Sequence, residues 1–188
     1  MFTGMIYENL PAIMALCPSH GYSQSGGHSP QRHCDSRHGR ISTVVEFDRS
    51  ALGVESAPVS YDVEKGAIRK FAEAIGDDDP IYSDEQAAQA AGFKTIVAPP
   101  TFLCTFRSQE LPDLKIQFGR VRLNGGNEYE YYQPIYAGDT ITLTAKYADV
   151  SERSGRTGGM VFVITELTFK NQHGEVVAKG RNTGIMRE

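Results

Sequence analysis

The stretch Phe71-Ala-Glu-Ala-Ile-Gly-Asp-Asp-Asp-Pro-Ile-Tyr82 decides how the rest of the chain is read. Just upstream, Lys65 to Ile75 sets Ile68, Phe71, Ala72 and Ile75 at i, i+3, i+4 and i+7. Arg69, Lys70 and Glu73 fall opposite, so this is the apolar face of an amphipathic helix. Gly76 is its expected stop, because glycine enters left-handed backbone without a Cβ penalty. Asp77, Asp78 and Asp79 follow, Pro80 pushes Asp79 into an extended conformation, and the phenol of Tyr82 closes the stretch. No other segment joins so much acid and backbone restriction to adjacent apolar surface.

Downstream, Ser83 is the expected N-cap of a second helix through Ala91, with Gln86 three residues on as in a capping box. Gly92 ends it. The prolines of Thr95-Ile-Val-Ala-Pro-Pro-Thr-Phe102 suit a helix entry, where a missing N–H costs little. From Thr101 to Leu111 the near-continuous apolar order of Phe102, Leu103, Cys104, Thr105 and Phe106 predicts a buried helix with Cys104 in the core. Strands are expected over Pro58–Val63, Asn127–Gln133, Thr140–Tyr147, Met160–Lys170 and Glu175–Met186. Ala137-Gly-Asp139 turns the chain, Ser154–Gly159 reads as a loop and Asn171–Gly174 as a hairpin turn that holds His173. Helices followed by a long antiparallel meander predict an α+β fold, one buried helix wrapped by a curved sheet.

Upstream, residues 1–40 read as a non-globular extension and residues 41–188 as the folded domain. The extension is rich in Ser, Gly and His without a period and buries too little apolar surface to offset its ordering entropy. It holds His20, His28, His33, His38, Cys17 and Cys34, whose spacing fits no closed metal-site template, so no metal is expected. A signal peptide is not expected either: Glu8 stands where lysines belong, and Leu16 before Cys17 is too large for a cleavage site.

The composition, 40% hydrophobic and 22% charged over 188 residues, is that of a soluble domain. A net charge of -4 gives no support to nucleic-acid or anionic-membrane partners. Three unclustered cysteines suit a reducing, cytoplasmic compartment, and no run approaches the ~18 apolar residues of a membrane span.

Three motifs together resemble the MaoC-like (R)-specific enoyl-CoA hydratases. These are Ala74-Ile-Gly-Asp-Asp-Asp-Pro-Ile-Tyr-Ser-Asp-Glu-Gln-Ala-Ala88, Ile96-Val-Ala-Pro-Pro-Thr-Phe102 and Gly125-Gly-Asn-Glu-Tyr-Glu-Tyr-Tyr-Gln-Pro134 with Ala137-Gly-Asp139. Within that family the chain is most similar to the type I fatty-acid-synthase-like dehydratase N-terminal domain, in the branch with the non-catalytic subunits of mycobacterial hydroxyacyl dehydratases. The resemblance covers roughly residues 55–188. It implies a hot-dog fold, with an antiparallel sheet around a long central helix, and dimerisation. It also implies a CoA or acyl-carrier thioester as substrate, with no cofactor, and a place in fatty acid metabolism. The family reaction adds water to a trans-2-enoyl thioester or removes it, using an aspartate, a histidine and a main-chain N–H that binds the thioester carbonyl.

Carried over residue by residue, Asp77 matches the motif aspartate and Asp79 stands where an asparagine is usual. Tyr82 stands where the catalytic histidine is expected. A tyrosine, with an ordinary pKa near ~10 against ~6.5, is a poor base at neutral pH but can still orient a water or a carbonyl. Pro100 falls at the oxyanion glycine and has no N–H; Thr101 supplies one if the helix start shifts by a residue, and Phe102 lies next in the expected substrate contact. The resemblance thus implies a substrate-holding subunit, paired as a homodimer or with a catalytic Asp/His partner.

The residues themselves leave other readings open. The aspartates are either a solvated loop or a ligand site through Asp77, and Tyr82 is most simply a packed tyrosine. Tyr129, Tyr131 and Tyr132 read as sheet and dimer-interface residues, and Lys115, Arg120 and Arg122 as a solvated face before a phosphate contact. The alternative function is a non-catalytic acyl-CoA-binding module. A hot-dog thioesterase is the least favoured, since only Glu110 offers a carboxylate on the expected central helix.

Overall fold

The inward-facing side chains Ile141, Leu143 and Ala145 alternate with polar neighbours along one strand, as the sequence pattern requires, and are at most 2% exposed. That strand belongs to a computed structural model that describes residues 45–155 and 158–187, all within the compact unit Ser42–Glu188. The readings made on residues 1–40 lie outside the described residues. The five strands are β1 (Val59–Asp62), β2 (Val121–Tyr131), β3 (Thr140–Gly155), β4 (Gly158–Lys170) and β5 (Val176–Arg187). They form one antiparallel sheet in the order β1-β3-β4-β5-β2. The meander β3–β4–β5 is as expected, and β3–β4 pairing continues to Gly155 opposite Gly158, where a longer loop was expected.

Register shifts at Tyr147/Asp149 in β3 and Asn124/Gly126 in β2 insert an extra residue and bend the sheet. The face of the bent sheet carries two apolar clusters. The larger gathers Ile68, Phe102, Leu103, Ile141, Leu143, Leu167 and Phe169, and the smaller gathers Ala51, Leu114, Val161 and Val163.

Helix α1 (Lys65–Ile75) buries Ile68 and Ala72 of the predicted face and packs Phe71 on the core, while Ile75, in the last turn, is exposed. Gly76 ends it at φ 73°, and the N–H of Asp77 donates back to Ala72 O at 3.0 Å, a left-handed cap. Helix α2 (Glu85–Ala90) starts one residue later than the sequence suggested. Asp84, not Ser83, is the N-cap, its carboxylate accepting from Gln86 N at 2.7 Å and Ala87 N at 3.4 Å.

The long central helix does not form. Pro100–Thr105 is a 3₁₀ helix, and Phe106 is already extended at φ -80°, ψ 146°. The hydrogen bonds explain the stop. Phe106 N donates to Leu103 O rather than to Phe102 O, which accepts the Thr105 hydroxyl at 2.8 Å; the Arg107 guanidinium takes Cys104 O at 3.0 Å. Side chains thus occupy carbonyls that an α-helix needs. The Phe106 ring stacks on Tyr61 at 4.7 Å, and the Tyr61 hydroxyl donates to Arg107 O at 2.6 Å, anchoring the extended exit to β1. Cys104 is consequently exposed instead of buried in the core, and Glu110 lies outside any helix. The chain from Phe106 onward crosses the smaller cluster as a strap. Its Leu114 is buried, and its Lys115 ammonium pairs with Asp48 at 2.8 Å.

Candidate functional site

Between α1 and α2 the three aspartates are shaped by their own backbone. Asp77 Oδ1 accepts from Asp79 N at 3.3 Å, and Asp79 Oδ1 accepts from Ile81 N at 3.1 Å, capping the 3₁₀ turn Pro80–Tyr82. Asp77 is half-buried, whereas Asp78 and Asp79 are exposed. Tyr82 is half-buried and packs against the larger apolar cluster. An ion pair between Lys65 at the start of α1 and Glu85 at the start of α2 brackets the loop.

Pro100 and Thr101 are exposed at the start of their 3₁₀ helix, while Phe102 is 4% exposed and belongs to the core. The main-chain N–H of Phe102 donates to Pro99 O at 2.8 Å; that of Thr101 enters none of the hydrogen bonds of the described residues. Phe102 meets Phe71 of α1 edge to face at 5.5 Å and shares the larger cluster with Tyr82. The aspartate loop and the Pro100–Thr101 corner are therefore attached to the same core.

The clefts of the sheet lie elsewhere. One of about 580 Å³ opens between the segment Cys104–Arg107 and the inward face of β2, β4 and β5, lined by Arg107, Arg122, Asn127, Tyr129, Thr165 and Asn182 among others. Burial, more than the nearby Cys104, raises the Tyr129 hydroxyl above its ordinary pKa of 10.0, with Arg107 opposing; it stays a proton donor at neutral pH. A second cleft, about 460 Å³, includes a charge row across four strands, Lys146, Glu166, Arg181 and Glu128. Its Lys146–Glu166 pair is 3.5 Å apart and exposed, so it contributes little. Asp77, Asp79, Tyr82, Pro100, Thr101 and Phe102 line neither cleft.

Sequence reasoning missed Asn127, Thr165 and Asn182. On β5 no apolar alternation set Asn182 off, since Gly180 and Gly184 flank it on the same face. Arg122, read as part of a solvated face, is exposed and also lines the larger cleft. Tyr129 and Tyr131 are sheet residues packed on the core, Tyr132 is 47% exposed, and His173 sits exposed in the β4–β5 turn. No helix among the described residues is long and apolar enough to cross a membrane.

A curved antiparallel sheet with short helices on this connectivity is a hot-dog fold, and solved structures agree. The ChsH1–ChsH2 complex of Mycobacterium tuberculosis superposes with a TM-score of 0.62 at 23% identity, over 74% of this chain and 90% of that one. The C-terminally truncated HadBC (3R-hydroxyacyl-ACP dehydratase) complex of the same organism gives 0.59 at 25% identity, over 75% and 99%. The family model for the FAS1-like dehydratase domain region matches residues 50–180. A UPF0336 protein of Saccharopolyspora erythraea is 33% identical over 150 residues, which cover 76% of this chain and 93% of that protein. The chain belongs to the FAS1-like dehydratase domain region family.

Proposed function

We propose that the chain is the substrate-holding subunit of a two-part (R)-specific enoyl-thioester hydratase/dehydratase of cytoplasmic fatty acid metabolism, and that a partner supplies the imidazole base. One observation carries this reading. Tyr82 occupies the motif's histidine position, and the one histidine among the described residues, His173, lies in the β4–β5 turn away from that motif. The HadBC and ChsH1–ChsH2 structures, each a complex of two named chains, lend support.

In this reading Asp77 orients the water through its carboxylate. The partner's imidazole takes the proton as the oxygen bonds to C3 of the enoyl thioester, and a proton returns to C2. The developing enolate oxygen needs an N–H donor that Pro100 lacks; in this reading Thr101, whose N–H enters none of the hydrogen bonds of the described residues, supplies it. Without the imidazole base a lone chain is expected to be nearly inert. The test is reconstitution. The chain is mixed with a relative carrying Gly-Asp-x-Asn-Pro-Ile-His, and crotonyl-CoA hydration is followed. Activity confined to the mixture and lost with Asp77→Ala supports the reading. A mixture no faster than the partner alone, despite binding of the thioester, leaves the acyl-CoA-binding module in its place.

A further inference from the structure

A polar row crosses the apolar inward face of the sheet. Tyr147, Thr165, Asn182 and Asn127 stand side by side in register on β3, β4, β5 and β2. On one side lies the cluster of Leu143, Leu167 and Phe169, and on the other that of Val161, Val163 and Leu114. Within the row Asn182 Oδ1 is buried and has no hydrogen-bond partner. A buried carbonyl oxygen without a donor is costly, so it calls for a donor from outside the chain, water or a bound group.

The cleft of about 580 Å³ opens onto this row. Among the described residues its charged lining groups are Arg107 and Arg122, with no carboxylate beside them, in a chain whose net charge is -4. Each guanidinium spends an Nη1 donor on a backbone carbonyl, Arg107 on Cys104 O at 3.0 Å and Arg122 on Phe118 O at 3.3 Å. Of the five N–H donors of each group, others remain available. The cleft thus offers an unmet acceptor deep inside and cationic forks, on walls that are otherwise partly apolar. An alkyl chain alone would leave the buried Asn182 Oδ1 unpaired and would make no use of the two exposed guanidiniums at the cleft.

We propose that this cleft seats the phosphopantetheine arm of an acyl thioester, an amide N–H donating to Asn182 Oδ1 and the phosphate meeting Arg107 and Arg122. The assignment rests on the thioester reading above and adds which part of the ligand is held, and by which residues. It makes Asn182 the residue that discriminates an amide-bearing arm from a plain fatty chain.

Cys104 is exposed and lines the same cleft, which gives a direct readout. In the full-length chain with Cys17→Ser and Cys34→Ser, Cys104 is the remaining thiol, and its alkylation by iodoacetamide is timed. The probes are S-methyl phosphopantetheine, S-methyl pantetheine, S-methyl-CoA and octanoate. Phosphopantetheine and CoA are expected to slow alkylation severalfold, and pantetheine to need about tenfold more ligand for the same protection. Octanoate should not protect. Asn182→Leu and Arg122→Gln, checked for unchanged melting, should each raise the protecting concentration by about tenfold. Equal protection by octanoate, or none by phosphopantetheine, overturns the proposal. These ligand comparisons use the native Asn182 and stand even if a variant fails to fold. The assay needs neither partner nor turnover. Protection without activity in the reconstituted mixture would therefore sink the hydratase reading alone, and activity without protection would sink the cleft assignment alone.

Discussion

Phe71 and Phe102 meet edge to face, their ring centroids 5.5 Å apart and their planes 88° from parallel. The contact ties the helix that delivers the three aspartates to the 3₁₀ helix that carries Pro100 and Thr101. Phe102 also meets Phe106 at 5.6 Å, so one buried ring holds both parts of the proposed site and the exit of the chain toward the strap.

Phe102→Ala is expected to destabilise the fold by about 3–5 kcal/mol, the usual cost of a fully buried phenylalanine with an unrelaxed cavity. Urea denaturation measures it. A loss below about 1 kcal/mol would mean that the ring does not join the two elements.

Asp84→Ala should cost about 1 kcal/mol, because two main-chain N–H groups of α2 lose their acceptor, while Ser83→Ala should change stability by less than about 0.5 kcal/mol. Denaturation midpoints of the two variants distinguish the observed cap from the one that the sequence favoured.

The strap carries a pH signature. Hydrogen bonds from Lys115 and Ser50 hold the Asp48 carboxyl at about 2, below its ordinary 3.8. A depressed carboxyl stabilises the folded state above its unfolded value and loses that contribution as pH falls through the folded one. The melting-temperature gap between the native chain and Lys115→Ala should therefore be full above 3.8 and close as pH falls through about 2. Lys115 is exposed and Asp48 half-buried, so added salt should shrink the gap. A gap unchanged at low pH would assign the lysine a packing role.

Asp77→Ala should weaken acyl-thioester binding about tenfold or more, and Asp78→Ala much less, measured calorimetrically. Asp77 is half-buried, whereas Asp78 is exposed. Equal effects would make the loop a solvated one.

Much of this fold was legible in the sequence because local patterns and tertiary burial agree. The i, i+3, i+4 face of α1 is the buried one, Gly76 caps it, and the alternation of Ile141, Leu143 and Ala145 places β3. The expected central helix failed because the contacts that end it are distant: Tyr61, 46 residues before Arg107, stacks on Phe106 and binds the Arg107 carbonyl. The polar row was hidden for a different reason. The bulge after Tyr147 reverses the alternation of β3, and on β5 glycines at 180 and 184 flank Asn182 where apolar residues would have marked the inward face. The aspartate loop was readable as a motif, but its hydrogen bonds, which bind Asp77 and Asp79 to their own backbone, were not.

The most direct measurement is crotonyl-CoA hydration by the lone chain at neutral pH. The expected rate is indistinguishable from buffer, since the tyrosine at position 82 cannot serve as the base that an imidazole would be. Sustained turnover by the purified chain without any partner would contradict it.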